Sequence, residues 1–183
     1  MTTSLPESRD KDAAHLIGMD LPDLALPSTL GEDIPLRQYS SGRWVLFVYP
    51  RTGVPGEAEP AGWDDIPGAK GCTAEACSFR DNLAGLRQAG AEKVAGLSVQ
   101  STEYQQEAVR RLHLPYPLLS DEDRDLGEAL QLPSFEAAGL TLLSRITLVI
   151  DGRTIRQVFY PVFPAETHAE QVRLWLLSNP GPG

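Results

Sequence analysis

Cysteine is scarce in this chain: its 183 residues hold two, Cys72 and Cys77. That is too few to staple a secreted disulfide scaffold, although it is enough for one redox pair. Histidine is nearly as rare, and His15, His113 and His168 lie far apart with no zinc-like Cys/His spacing, so each reads as a solvated or capping residue. Basic residues are outnumbered: 16 Lys and Arg against 25 Asp and Glu leave a net charge of −9, and the longest basic cluster is the pair Arg110 and Arg111. Nucleic acid is a poor partner for such a surface. No segment approaches the roughly 18 consecutive apolar residues that a membrane helix needs. The opening MTTSLPESRDKDAAH carries no apolar stretch behind its charges. These absences lead to the expectation of a soluble, cytoplasmic chain with neither nucleic acid nor membrane as partner. The sequence also lacks GxxxxGK[ST], GxGxxG and GxSxG, which argues against a nucleotide enzyme and a serine hydrolase.

What is present suffices for one folded domain over residues 1–183, since 42% of the residues are hydrophobic. Residues 1–18 are polar and aperiodic and read as a flexible tail. The continuous apolar run 45–49 suits a strand buried on both faces. Residues 50–71 carry Pro55, Pro60, Pro67, Gly53, Gly56 and Gly68, which sustain neither helix nor ladder, so a long loop is expected, anchored by Trp63 and Ile66. Ala76, Phe79, Leu83 and Leu86 then recur at helical spacing, with Gly90 as the stop. A strand at 94–99, a helix at 101–112 and a short strand at 116–119 follow. Asp121, Glu122 and Asp123 read as the capping region of a short helix carrying Leu126, Ala129 and Leu130. A hairpin is expected from 146–150 and 154–160 about Asp151-Gly152, and a last helix over 165–177. This order gives an α/β, thioredoxin-like fold: a central mixed sheet flanked by helices.

Chemistry concentrates where the long loop meets the first strong helix, in Gly71-Cys72-Thr73-Ala74-Glu75-Ala76-Cys77. A thiolate in a first helical turn lies near unpaired N–H groups and the positive end of the helix dipole, which favours a lowered pKa and a nucleophilic Cys72. Cys77 follows five positions later; ideal helix geometry separates the two Cα atoms by roughly 8.7 Å, beyond the reach of about 7 Å that a disulfide allows. A bond between them would require the helix to unwind. Spacing alone equally describes two buried thiols packed as small hydrophobes.

Together with Tyr49-Pro50, Phe79-Arg80-Asp81, residues 114–121 and Arg145-Ile-Thr-Leu-Val-Ile-Asp-Gly, this region resembles the peroxiredoxins of the bacterioferritin-comigratory-protein (PrxQ) subgroup of the AhpC/TSA family, over about residues 20–176. The resemblance implies a thiol peroxidase that reduces hydrogen peroxide and organic hydroperoxides. By its motif Cys72 is the cysteine that attacks peroxide, Cys77 the one that resolves it as a disulfide, and Arg145 the arginine beside the thiolate. Glu75 takes the acidic position three residues after the nucleophile. Thioredoxin or another dithiol is the implied reductant, and no metal, flavin or haem cofactor is implied. The subgroup is often monomeric, so a monomer is expected. This chain departs from the pattern in one respect: Ala69 fills the usual threonine position, and Cys72 lies 22 positions after Pro50 where the family has seven. Thr52 is then one candidate for the hydroxyl that orients peroxide and Thr73 another.

Two roles remain open for Arg80, support of the site or an ion pair with Glu75. Without the resemblance, Arg145 reads as a charged residue at a strand start with a surface carboxylate partner. A rival function is a redox-sensing binding protein that uses the same dithiol switch without turnover. The segment between Thr52 and Lys70 is expected to form an ordered lid beside Cys72.

Overall fold

The run of apolar residues before the long loop forms β3, Arg43–Val48, in which every residue is buried. Its side chains alternate between two cores. Trp44, Leu46 and Val48 face one core, and Val45 and Phe47, continued by Tyr49, face the other. The computed structural model describes residues 13–66 and 68–181.

In chain order the elements are β1 Ala25–Pro27, β2 Asp33–Pro35, β3, α1 Cys72–Asp81, α2 Leu83–Gln88, β4 Lys93–Ser98, α3 Thr102–Leu112, β5 Leu118–Ser120 and α4 Asp125–Ala129. They continue with β6 Ser134–Ala137, β7 Leu140–Leu143, β8 Ile146–Asp151, β9 Thr154–Phe159 and α5 His168–Ser178. Five strands make the central sheet in the order β5-β4-β3-β8-β9. Here β3 runs parallel to β4 and β4 to β5, whereas β8 lies antiparallel to both β3 and β9. The mixed, thioredoxin-like sheet is therefore the one that the strand and helix order implies. Helices α1, α2 and α5 cover the Phe47 face. The first residues described, together with β1, β2 and α4, cover the other.

Several sequence expectations change in detail. The expected tail lies outside the described residues over 1–12, but from Ala13 onward the chain is built into the fold. Leu16 is fully buried, and Gly18 N–H donates to the Ile155 carbonyl at 2.8 Å. The helix expected through Leu86 is two helices broken at Asn82. The small hairpin β6–β7, with register Phe135 to Leu142, was not among the expected elements. Asp121 caps as expected, accepting from the N–H groups of Leu126 and Gly127 at 3.0 and 2.8 Å. His113 caps α3 in the left-handed region. His168, by contrast, is fully buried, bonded to Thr147 Oγ1 at 2.8 Å and edge-on to Phe79 and Phe159.

Candidate active site

α1 begins where it was expected, and Gly71 explains how. Its φ of +104° suits glycine, and a Cβ there would stand 2.9 Å from the Ala165 Cβ. Chain and helix therefore meet at a residue with no side chain, which brings Cys72 under the loop before α5. Phe47 and Phe79 stack with centroids 4.4 Å apart, and the Tyr116 hydroxyl donates to the Ala76 carbonyl at 2.6 Å. These contacts seat α1 on β3. Cys72 is the first helical residue and only 3% exposed; Cys77 is half-buried on the same helix, and both thiols are free.

Arg145 lies just ahead of β8, whose Ile146 pairs with Val48 at the end of β3 from which the long loop departs. The antiparallel pairing thus delivers Arg145 to the mouth of that loop. Its guanidinium is buried and held at both terminal nitrogens. Nη1 donates to Glu75 Oε1 at 2.9 Å, and Nη2 reaches Cys72 Sγ at 3.1 Å, the Lys70 carbonyl at 2.9 Å and the Gly68 carbonyl at 3.2 Å. A surface carboxylate partner is thereby replaced by a buried one, since Glu75 is wholly inaccessible. Arg80 does not pair with Glu75; it holds Asp81 at 2.9 Å and the Leu112 carbonyl at 2.6 Å.

Burial dominates the electrostatics of this cluster. It pushes the Cys72 thiol above its ordinary pKa, although Arg145 and the Arg51 backbone N–H pull the other way. The expectation that helix position alone leaves the thiol acidified is therefore corrected for the reduced site. Glu75 is raised to about 7 by burial, against the pull of Arg145. Its Oε2 is buried and has no hydrogen-bond partner among the described residues. For Arg145 itself desolvation acts downward, but the two anionic partners prevail and hold it a cation. A single guanidinium thus faces two groups that compete for it, and a proton on Glu75 leaves it free to pair with a thiolate.

Thr52 is buried, and its hydroxyl donates to Gln100 Oε1 at 3.3 Å, while Gln100 Nε2 donates back to the Thr52 carbonyl at 3.0 Å. The side chain is committed to Gln100. Thr73, in contrast, lines a cavity of about 590 Å³ that opens on Cys72. Arg51, Glu59, Trp63, Ala69 and Lys70 also line it, so the inserted segment supplies much of the wall. Trp63 is the segment's anchor: it is buried with Ala69, Ala137 and Leu142 and lies 6.3 Å from the Phe135 ring. Sequence reasoning found this anchor but not its socket, the β6–β7 hairpin; the Ala138-Gly139 turn between apolar residues was the available signal.

A buried thiol at a helix start, with an arginine against its sulfur, at the end of the central strand of a thioredoxin-like sheet defines a thiol-based redox protein. The Redoxin family model matches residues 16–172. The chain belongs to that family, as a peroxiredoxin of the Q/Bcp group. It is 31% identical to Peroxiredoxin Q, chloroplastic, of Sedum lineare over 155 residues, covering 84% of this chain and 74% of that one. Peroxiredoxin Bcp of Escherichia coli (strain K12) is 28% identical over 158 residues, covering 85% and 91%. Among solved structures, peroxidoxin BcpB from Mycobacterium tuberculosis superimposes with a TM-score of 0.71 at 27% identity, covering 89% of this chain and 97% of that one. The protein is accordingly a thiol peroxidase. Among the described residues no helix is long and apolar enough to cross a membrane.

Proposed function

We propose that this protein reduces hydrogen peroxide and organic hydroperoxides in the cytoplasm through an intramolecular Cys72–Cys77 disulfide that thioredoxin or a similar dithiol donor reduces again. The observation that carries this reading is the Arg145 guanidinium, 3.1 Å from Cys72 Sγ and 2.9 Å from Glu75. In the first step the Cys72 thiolate attacks the distal oxygen of the hydroperoxide. An S–O bond forms, the O–O bond breaks, sulfur is oxidised by two electrons, and the departing alkoxide or hydroxide takes a proton. Arg145 and the first-turn N–H groups stabilise the charge that moves from sulfur to the leaving oxygen. Glu75 holds Arg145 in place. In the second step the Cys77 sulfur attacks the sulfenic acid, an S–S bond forms and water leaves. Two thiols of the donor then restore both cysteines by exchange.

Both cysteines belong to α1, so the second step requires that helix to open. The test is a coupled assay with thioredoxin, thioredoxin reductase and hydrogen peroxide. Many equivalents of peroxide consumed per chain, and none by Cys72→Ser, are expected. A single equivalent without turnover would instead favour a redox sensor.

A further inference from the structure

The ladder between β3 and β4 stops where the long segment begins, and the way it stops bears on Cys72. Pairing runs from Trp44 to Val48, and the Tyr49 N–H adds one more bond, to the Leu97 carbonyl at 3.0 Å. Pro50 then has no N–H to give. Arg51 and Thr52 follow outside any helix or strand, yet Thr52 is only 2% exposed, so its peptide groups need partners inside the protein. One side chain supplies both. Gln100 Oε1 accepts from the Thr52 N–H at 3.1 Å, and Gln100 Nε2 donates to the Thr52 carbonyl at 3.0 Å. This reciprocal pair fixes which end of the amide is the oxygen. Oε1 also accepts from the Thr52 and Ser98 hydroxyls, both at 3.3 Å.

Gln100 is itself held. Its N–H donates to Ser98 Oγ at 3.3 Å, and its carbonyl accepts from Ser120 Oγ at 2.6 Å. Both serines are buried at the ends of their strands, β4 and β5. The sheet thus anchors the backbone of Gln100, and its amide acts as one more rung beyond the proline that interrupts the ladder.

The residue caught between Pro50 and this clamp is Arg51, whose backbone N–H hydrogen-bonds the Cys72 sulfur. A hydrogen bond to sulfur favours the thiolate over the thiol. In irregular chain such a donor helps only if it is kept in place, because one free to turn toward water does not offset the desolvation of a buried thiol. Arg145, Glu75 and Tyr49 are the charged and titratable groups that also act on Cys72, and the hydrogen bonds of Gln100 go to none of them.

We propose that Gln100 is a positioning residue for peroxide reduction: its amide stands in for the sheet partner that Thr52 lacks, and in doing so keeps the Arg51 N–H against the Cys72 sulfur. This rests on the peroxidase reading above and adds to it a residue that acts through its neighbours rather than on the reacting atoms.

The experiment compares the reduced full-length protein with Gln100→Met, which keeps the length of the side chain and removes both amide bonds. Alkylation of Cys72 by iodoacetamide across pH, read by mass spectrometry, should show its midpoint displaced upward by about one pH unit in the variant. Oxidation by hydrogen peroxide near neutral pH should slow about tenfold. Gln100→Asn, which draws the amide back from Thr52 by one methylene, is expected to displace the profile in the same direction, so the test stands even if Gln100→Met folds poorly. Urea melts measure any loss of stability separately. Variants that are less stable but keep the wild-type alkylation profile overturn the proposal, since Gln100 would then serve the fold alone. In the NMR spectrum of the reduced wild type, the Arg51 amide proton should move downfield as Cys72 ionises and should stay in place in Cys72→Ser. An Arg51 amide that ignores Cys72 also overturns the proposal. Either failure leaves the peroxidase reading standing, whereas a wild type that consumes no peroxide in the coupled assay would overturn both.

Discussion

Cys72, Arg145 and Glu75 form a charge cluster in which each member sets the state of the others. Burial raises Cys72, and Arg145 is the nearest influence acting against it. Arg145→Leu should therefore move the pH at which Cys72 becomes reactive further into the alkaline range, as measured by iodoacetamide alkylation across pH. It should also slow peroxide oxidation by about 100-fold. An unchanged alkylation profile would show that Arg145 does not act on the sulfur. Glu75 has its own signature. Its folded pKa of about 7 lies above the ordinary 4.5, so the folded state binds more protons than the unfolded one between those values. This contribution to stability is fully present below pH 4.5 and is lost as pH rises through about 7, by on the order of 3 kcal/mol. His168 works in the opposite sense: held down to about 4 by burial, it contributes stability above pH 6.5 that is lost as pH falls toward 4. Urea melts of wild type and Glu75→Gln over this range separate the two, since only the Glu75 contribution disappears in the variant. Parallel stability curves would refute the buried-carboxyl account. At this scale the sequence disclosed the cysteines and Arg145 through motif order. It could not disclose that Glu75 is wholly buried or that the Cys72 pKa rises, because desolvation depends on what the rest of the chain places around a residue.

With the proposed Cys72–Cys77 disulfide, the element that must change during turnover is α1, and its boundaries limit that change. It is capped before its first residue by Gly71 and after its last by Asn82, whose N–H and side-chain amide both donate to the Ser78 carbonyl at 3.0 and 2.8 Å. Beyond the break, α2 buries Leu83 and Leu86 in the core cluster shared with Val172 and Leu176 of α5. Oxidation should therefore speed amide exchange over residues 72–81 and leave residues 83–88 protected. Equal protection of α1 in both redox states, with the Cys72–Cys77 bond verified by mass spectrometry, would contradict the unwinding. The cost of opening includes the Phe47–Phe79 stack, the Tyr116 hydrogen bond and the Arg145 contact to Cys72. The amphipathic period from Ala76 to Leu86 made this helical region legible in the sequence. The same period concealed the break, because Leu83 and Leu86 continue the spacing across Asn82. The β6–β7 hairpin escaped notice for a related reason: its strands are four residues each, and exposed, half-buried and buried positions follow one another without a strict alternation that the sequence could display.

At the scale of the molecule, a sheet readable from the order of its strands and helices presents a cysteine and an arginine at the end of β3, while Glu59, Trp63, Ala69 and Lys70 of the long segment line the cavity that opens on Cys72. Arg145 joins the two parts, since the nitrogen that contacts Cys72 also holds the Lys70 and Gly68 carbonyls. Replacing residues 58–69 by a short Gly/Ser linker removes Trp63 and exposes Phe135 and Leu142. It should lower the thermal midpoint and change the relative oxidation rates of small and bulky hydroperoxides. Unchanged kinetics across both classes would rule out a role for the segment in access. The sequence marked this segment as unusual by its proline and glycine content and by Trp63, but the place it folds to depends on contacts with residues some 70 positions away. The central claim, that Cys72 attacks peroxide and Cys77 resolves it within one chain, is tested most directly by adding one equivalent of hydrogen peroxide to the reduced protein and following intact mass and free thiols together. The account predicts the loss of two thiols and a mass decrease of two hydrogens in the wild type, with sulfenic acid on Cys72 in Cys77→Ser and sulfinic acid there once a second equivalent is added. Loss of two thiols through a bond between two chains, or oxidation that proceeds undiminished in Cys72→Ser, would contradict it.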